Sequence, residues 1–347
     1  MPHFDWKILP LLLLLTGCKN KQSPEYQIIV SAEQASLRAE PSEKSREIAT
    51  LRRHETLADL GEVSSFESQI IVGEHFYQTP WIKVKTADDQ EGWVHASALR
   101  PVREQSDWLL QKRLICYFGK NLSMRRNTLY KKFKNVETEG QLLDFWQESV
   151  TLRDTFLVLL SQRPESGFQP QFNWLNEVLP GFIYQKIGAG SQPHLFADFG
   201  KWQQKVLKTN GLQDNIFIET CLAAFPTDSI ESFFPVWKFQ LSESESASQL
   251  GTGQHLRMLT QIHQALASGS LFAPQLLVIK DQILEDIFGK NQRYWQPQEK
   301  ILEELGQIIA NPPKCLSAPE REAFSIRQKM FEDPGGNGIV VNLRSGE

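Results

Sequence analysis

The 347-residue sequence predicts a multidomain chain in which a small all-β module precedes a mostly α-helical domain. Three observations carry this. Between Ile28 and Leu99 no helical period is sustained, whereas six short strand-like runs follow one another: Ile28–Ala32, Glu47–Leu51, Thr56–Gly61, Ser68–Gly73, Pro80–Thr86 and Gly92–Leu99. Beyond Pro101 the apolar residues recur at helical spacing behind recognisable caps. A hydrophobic content of 41%, of which aromatics make up 10% of the chain, supplies packed cores for both parts and excludes a disordered protein.

The first element is the apolar run Ile8–Leu15, eight residues against the roughly 20 that a helix needs to cross a bilayer. Pro10 inside it, and polar Lys19, Asn20, Lys21 and Gln22 after it, argue against a buried core helix. Its length suits the apolar part of a secretory signal. The tetrad Leu15-Thr16-Gly17-Cys18 resembles the lipobox of bacterial lipoproteins. That resemblance implies a signal peptide over 1–17, removal of which leaves Cys18 as the acylated (palmitate-type) first residue, and a short polar tether over 18–27. Two or three chains anchor stably where one is marginal, because each buried methylene contributes about 0.8 kcal/mol. The expected place is the bacterial cell envelope, with Lys19 after the cysteine resembling proteins sorted to the outer membrane. Asp5 offsets Lys7 and departs from the usual positive start. The competing reading is a secreted or unprocessed N-terminus with an incidental cysteine.

For 28–101, closely spaced short strands argue for a small barrel or sandwich. The segment from Ala35 to Leu99 resembles a bacterial SH3 domain, and so implies an SH3-like β-barrel. The matching positions are Leu37, Arg38, Pro41, Ser42, Ser45, Ile48, Leu51, Leu57, Leu60, Gly61, Trp81, Lys83, Val84, Gly92, Trp93, Val94 and Leu99. Alternating Leu and Val fill one face of each strand, Trp81 and Trp93 supply large buried area, and Gly92 follows the acidic turn Ala87–Glu91. Two departures stand out. The usual turn glycine is replaced near Arg53-His54, and about twenty residues separate Gly61 from Trp81, an insert that alternates around Gly73 and predicts a protruding hairpin. The resemblance implies a cell-wall peptide or protein ligand for some members of the family. Trp81 and Trp93 are therefore either core or the lining of a ligand groove. His54, His75 and His95 lack neighbouring carboxylates or cysteines at metal-ligand spacing and read as strand or surface residues.

The domain over 105–347 should hold seven or more helices. A capping box at Thr138 and Gln141 opens the first clear one. Further helices are expected over Leu195–Thr209, Asp214–Phe225, Gln254–Ala267, Phe272–Phe288, Pro297–Ala310 and Ala318–Phe331, the last behind a Ser317 and Glu320 capping box. The stretch Ser242–Gly253 reads as an exposed loop, and the tail from Asp333 as a turn followed by a short strand. From Trp108 to Val136 stand Lys112, Arg113, Lys120, Arg125, Arg126, Lys131, Lys132 and Lys134 with no acidic residue and with four aromatics interleaved. Such a patch suits anionic lipid head groups or acidic wall polymers; the plainer reading is a solvated face paired with the acidic remainder of the chain.

A net charge of −4 and a pI near 6.0 exclude a general nucleic-acid binder. Cys116, Cys221 and Cys315 permit one disulfide in any of three pairings, and no cysteine or histidine spacing suits a structural zinc. The motifs of zinc hydrolases, serine hydrolases and phosphate loops are missing, so neither a metal nor a cofactor is expected. Cys116 and Cys221 sit in apolar runs, where thiols are inert. The expectation is a non-catalytic lipid-anchored envelope protein, tied to its membrane at Cys18, whose SH3-like module binds peptidoglycan or an envelope protein while the helical domain serves as an interaction surface. The alternative is a cell-wall hydrolase of unfamiliar type with its active site in the helical domain, and a third reading makes the module a mere spacer.

Overall fold

The computed structural model describes residues 26–72, 75–103, 107–163, 172–186, 193–242, 245–267, 269–290 and 292–343. The signal-like segment and Cys18 lie outside the described residues. The chain divides into two units, Met1–Trp108 and Leu109–Glu347. Among the described residues no helix is long and apolar enough to cross a membrane.

The first unit is all β. Strands β1 (Tyr26–Val30), β2 (Gln34–Arg38), β3 (Glu47–Arg52), β4 (Thr56–Val72), β5 (His75–Lys85), β6 (Glu91–His95) and β7 (Leu99–Pro101) form one antiparallel sheet in the order β3-β2-β6-β5-β4-β1-β7. Alternation delivers one apolar side chain in two to a shared core of Ile28, Val30, Leu37, Leu51, Leu57, Ile82, Val84, Val94 and Leu99. At the predicted missing turn glycine, His54 itself takes the left-handed conformation, with φ 69°. Gly92 has a different reason from the one its position after a turn suggests. It lies within β6, where a Cβ would stand 2.7 Å from the Arg38 carbonyl oxygen and 2.8 Å from Leu37 Cγ, so its lack of a side chain lets β2 pass close. The insert forms the expected hairpin: β4 and β5 run on together as a two-stranded ribbon from Glu67 opposite Pro80 to Val72 opposite His75. Register shifts between Asp59 and Glu67 bend β4 at its root.

The second unit is helical with two small β hairpins among its described residues. Helix α1 (Trp108–Lys134) breaks at Gly119, and α2 (Glu139–Ser161) starts with the Thr138 and Gln141 capping box. The hairpin of β8 (Phe182–Lys186) and β9 (Pro193–Ala197) leads into α3 (Phe199–Val206) and α4 (Gln213–Ala224). A second hairpin, β10 (Lys238–Gln240) with β11 (Ser246–Ser248), precedes α5 (Gln254–Ala267), α6 (Ala273–Phe288), α7 (Gln298–Ala310) and α8 (Ala318–Glu332). Successive helices pack side by side, α3 on α4, α4 on α5, α5 on α6 and α7 on α8, an array rather than a symmetric bundle.

Three sequence expectations differ from the structure. The helix expected from Leu195 starts only after Asp198, whose side chain accepts from the Lys201 amide; Leu195 instead pairs with Tyr184 in the β8–β9 hairpin. The supposed exposed loop Ser242–Gly253 is interior at Ala247 and Ser248, because the Ser248 amide and carbonyl bond to Arg293 and Trp295. The expected tail strand reduces to a bridge, in which the Tyr294 amide donates to the Val340 carbonyl.

The core of the unit is aromatic. Trp146 lies 4.6 Å from Trp202 and 5.3 Å from Phe217, which stacks on Phe272 at 4.7 Å. The buried Trp202 indole N–H donates to the Gly181 carbonyl at 2.8 Å. Gly181 has φ 79°, and a Cβ there would stand 2.6 Å from the indole. Glu304 of α7 reaches across to the start of α5, where its carboxylate accepts from the amides of Gly251 (2.6 Å), Gly253 (2.9 Å) and Leu256 (3.0 Å). Gly181→Ala should therefore destabilise the helical unit by about 2–4 kcal/mol, through overpacking and an unfavourable φ. Glu304→Ala, which leaves three partly buried amides without their carboxylate acceptor, should cost about 1–3 kcal/mol. Urea unfolding of each variant measures both.

Candidate ligand face of the β module

On β5, alternation sends Ile82 and Val84 inward and Trp81, Lys83 and Lys85 to the opposite face. The register sets Lys83 beside Trp93 and Trp93 beside Arg38. Lys83 Nζ closes the row on Glu62 Oε1 at 3.0 Å, so that Arg38, Trp93, Lys83 and Glu62 form a strip across β2, β6, β5 and β4. Trp93 is half-buried within it. An indole flanked by two cations can stack on an apolar ring face while the cations meet carboxylates. Sequence reasoning singled out Trp93 but placed Arg38 and Lys83 only among the family positions. Their value as neighbours depends on register, which the Gly92 and Trp93 spacing alone does not specify.

Trp81 shares this face but does not line a groove; the structure corrects that reading. It is 3% exposed, its indole N–H donates to Ser68 Oγ at 2.7 Å, and its ring meets His95 edge-on at 5.3 Å. Ser64 Oγ also accepts the Trp81 amide. The root of the inserted hairpin thus builds a small second core against the outer face of the sheet. His95, 4% exposed, belongs to it. Its Nε2 faces the Ser68 carbonyl at 3.2 Å, an acceptor only, so the ring proton sits on Nε2 and Nδ1 accepts from Ser97 at 2.7 Å. Burial pushes the His95 imidazole down from 6.5 to about 4, outweighing the opposing effect of the bonds to Ser68 and Thr79.

In the helical unit the basic residues of α1 divide between interior and surface. Arg126 is an interior residue, not part of a surface patch: its guanidinium donates to the carbonyls of Val178 at 2.7 Å and Glu177 at 2.5 Å. Arg113 is half-buried. Lys132 and Arg125 both lie against Glu148, at 2.7 and 3.9 Å. Lys120, Arg125, Lys131, Lys132 and Lys134 are exposed, and Lys131, Lys132 and Lys134 stand in the last turn of α1, where cations complement the helix dipole. Lys134 and Arg126 also flank the Tyr130 ring.

Cys116 is buried, and Cys221 and Cys315 are free thiols. Burial, and then Glu231, push the Cys221 thiol well above its usual range, which makes it a poor nucleophile. A serine, a histidine and a carboxylate do meet, at Ser248, His255 and Asp286. Both Ser248 Oγ (2.5 Å) and His255 Nε2 (2.8 Å) bond to the same oxygen, Asp286 Oδ2. The carboxylate stands in the middle and all three side chains are sealed from solvent, so the imidazole has no route to the serine proton that nucleophilic catalysis requires. An open cleft of about 600 Å³ between α4 and α5 carries Glu219, Arg257, Gln261 and Gln264.

Residues 33–100 match the family described as the bacterial SH3 domain, which identifies the β module as a bacterial SH3 domain followed by a helical region. The match takes in Arg38, Glu62, Trp81, Lys83, Trp93 and His95. No curated protein and no solved structure matches the chain.

Because the unfolded chain takes up a proton near pH 6.5 that folded His95 refuses until about pH 4, stability should be present above 6.5 and decline as pH falls through that window. The full loss is about 3 kcal/mol. Urea midpoints of the β module at pH 7 and pH 4.5 measure it, and His95→Gln, with no proton to gain, should abolish the slope.

Proposed function

We propose that the chain is a non-catalytic, lipid-anchored protein of the bacterial cell envelope, held to the outer membrane by acyl chains on Cys18. Its SH3 module presents the Arg38, Trp93 and Lys83 strip to peptidoglycan, and the helical unit offers a surface to an envelope protein. The observation that carries the binding role is the half-buried Trp93 set between two cations within the SH3 match. A sugar ring suits the indole, and the carboxylates of wall peptides suit the cations. The anchoring role rests on the resemblance of Leu15–Cys18 to a lipobox.

A chain starting at Ser23 should sediment with purified peptidoglycan without releasing soluble muropeptides; released fragments would instead favour a hydrolase. Trp93→Ala should weaken sedimentation by about tenfold, with the module still folded in a thermal melt but at a lowered midpoint because part of the indole is buried. Intact-mass analysis of the membrane form should find a chain that begins at diacylated Cys18; retention of Met1 with a bare thiol would exclude the anchor.

A further inference from the structure

Close to its end the hairpin of β4 and β5 carries apolar side chains that no described residue covers. Ile71 is 65% exposed and Phe76 67%, and they face each other on one side of the ribbon. Ile70 and Tyr77, the latter 38% exposed, face each other on the opposite side. Two apolar pairs on both faces of a two-stranded ribbon cannot be covered by one flat surface or one shallow groove; a medium that surrounds the tip can do it.

The chain's own tether says which medium is within reach. Tyr26 pairs with Asp59 and β1 runs antiparallel to β4, so the N-terminal end of β1 lies toward the side on which β4 continues into the hairpin. From Cys18 to Glu25 an extended chain covers roughly 26–29 Å. From Glu67 to the tip the ribbon projects about 17 Å at the usual strand rise. A module tied to a bilayer at Cys18 therefore holds its hairpin within reach of that bilayer. Between Arg53 and Lys83 stand Glu55, Asp59, Glu62, Glu67 and Glu74 and no Lys or Arg, so a contact of this hairpin with a bilayer is made by its apolar side chains and not by attraction to anionic head groups.

We propose that the tip of the β4–β5 hairpin, through Ile71, Phe76 and Tyr77, dips into the interfacial layer of the bilayer that carries the Cys18 anchor, as a second, non-covalent membrane contact. The inference rests on the anchoring proposed above. The rigid root at Trp81, Ser68 and His95 fixes the angle at which the ribbon leaves the barrel, and Tyr77 has the amphipathic ring that suits the head-group level. Such a contact orients the SH3 module relative to the membrane.

The test uses the acylated chain in phosphatidylcholine vesicles, with an environment-sensitive fluorophore on Phe76→Cys and, separately, on Ile71→Cys, and with Lys44→Cys as a control. Labels at 76 and 71 should shift to the blue and be quenched at least threefold more by nitroxides near the lipid head groups than the label at 44, equally in 0.1 and 1 M salt. Labels at 76 and 71 that stay in water, on a chain whose mass confirms the acylated Cys18, would overturn the tip contact and leave the anchor standing. Bare Cys18 with Met1 retained would overturn both. Shielding that persists without vesicles, through a second copy or a protein groove, would overturn the bilayer as occupant.

Discussion

The β module is governed by one mismatch of length. Strand β4 is 17 residues long and serves two partners: its first residues pair with β1 and β5, and from Glu67 onward it pairs only with β5. A two-stranded ribbon in water is marginal by itself, so its base must be tied to something rigid. Trp81, Ser64, Ser68, Thr79 and His95 are that tie. The same residues that would be surface groups on a shorter barrel become a second core, which is why one conspicuous tryptophan is sealed and the other, two strand positions of register away, stays half-exposed beside Lys83 and Arg38.

The helical unit solves a different problem, the burial of polar groups among irregular connections. Buried Glu304 takes up amides at the open start of α5, and Asp286 gathers Ser248 and His255. Arg327 donates to the Tyr294 hydroxyl, which in turn donates to the Ile287 carbonyl. All of these but the Tyr294–Ile287 bond join segments far apart in sequence, and removal of one partner would strand the other in a low-dielectric interior. A trio with the residue types of a hydrolase is thus accounted for by packing, through the order of its hydrogen bonds.

Much of this was legible in the residues. Period-two alternation located the strands, the alternation around Gly73 located the inserted hairpin, and the Thr138–Gln141 and Ser317–Glu320 pairs marked helix starts that the capping geometry reproduces. The readings that failed share one cause. Leu195, Ser248 and Arg126 are assigned by composition to helix, loop and surface, yet each is placed by a partner remote in sequence: Tyr184, Asp286 and Val178. Local pattern carries no information about such partners.

By itself the sequence determined the two-part architecture, the SH3 kinship of its first part and the positions of most elements, because periodicity and caps are properties of neighbours along the chain. Only the tertiary structure decided that Trp81 is covered while Trp93 on the same face is not, that Arg38 and Lys83 stand beside Trp93, and that Ile71 and Phe76 are exposed. Those outcomes depend on strand register and on what covers each face, and both are set by residues brought together from opposite ends of the module.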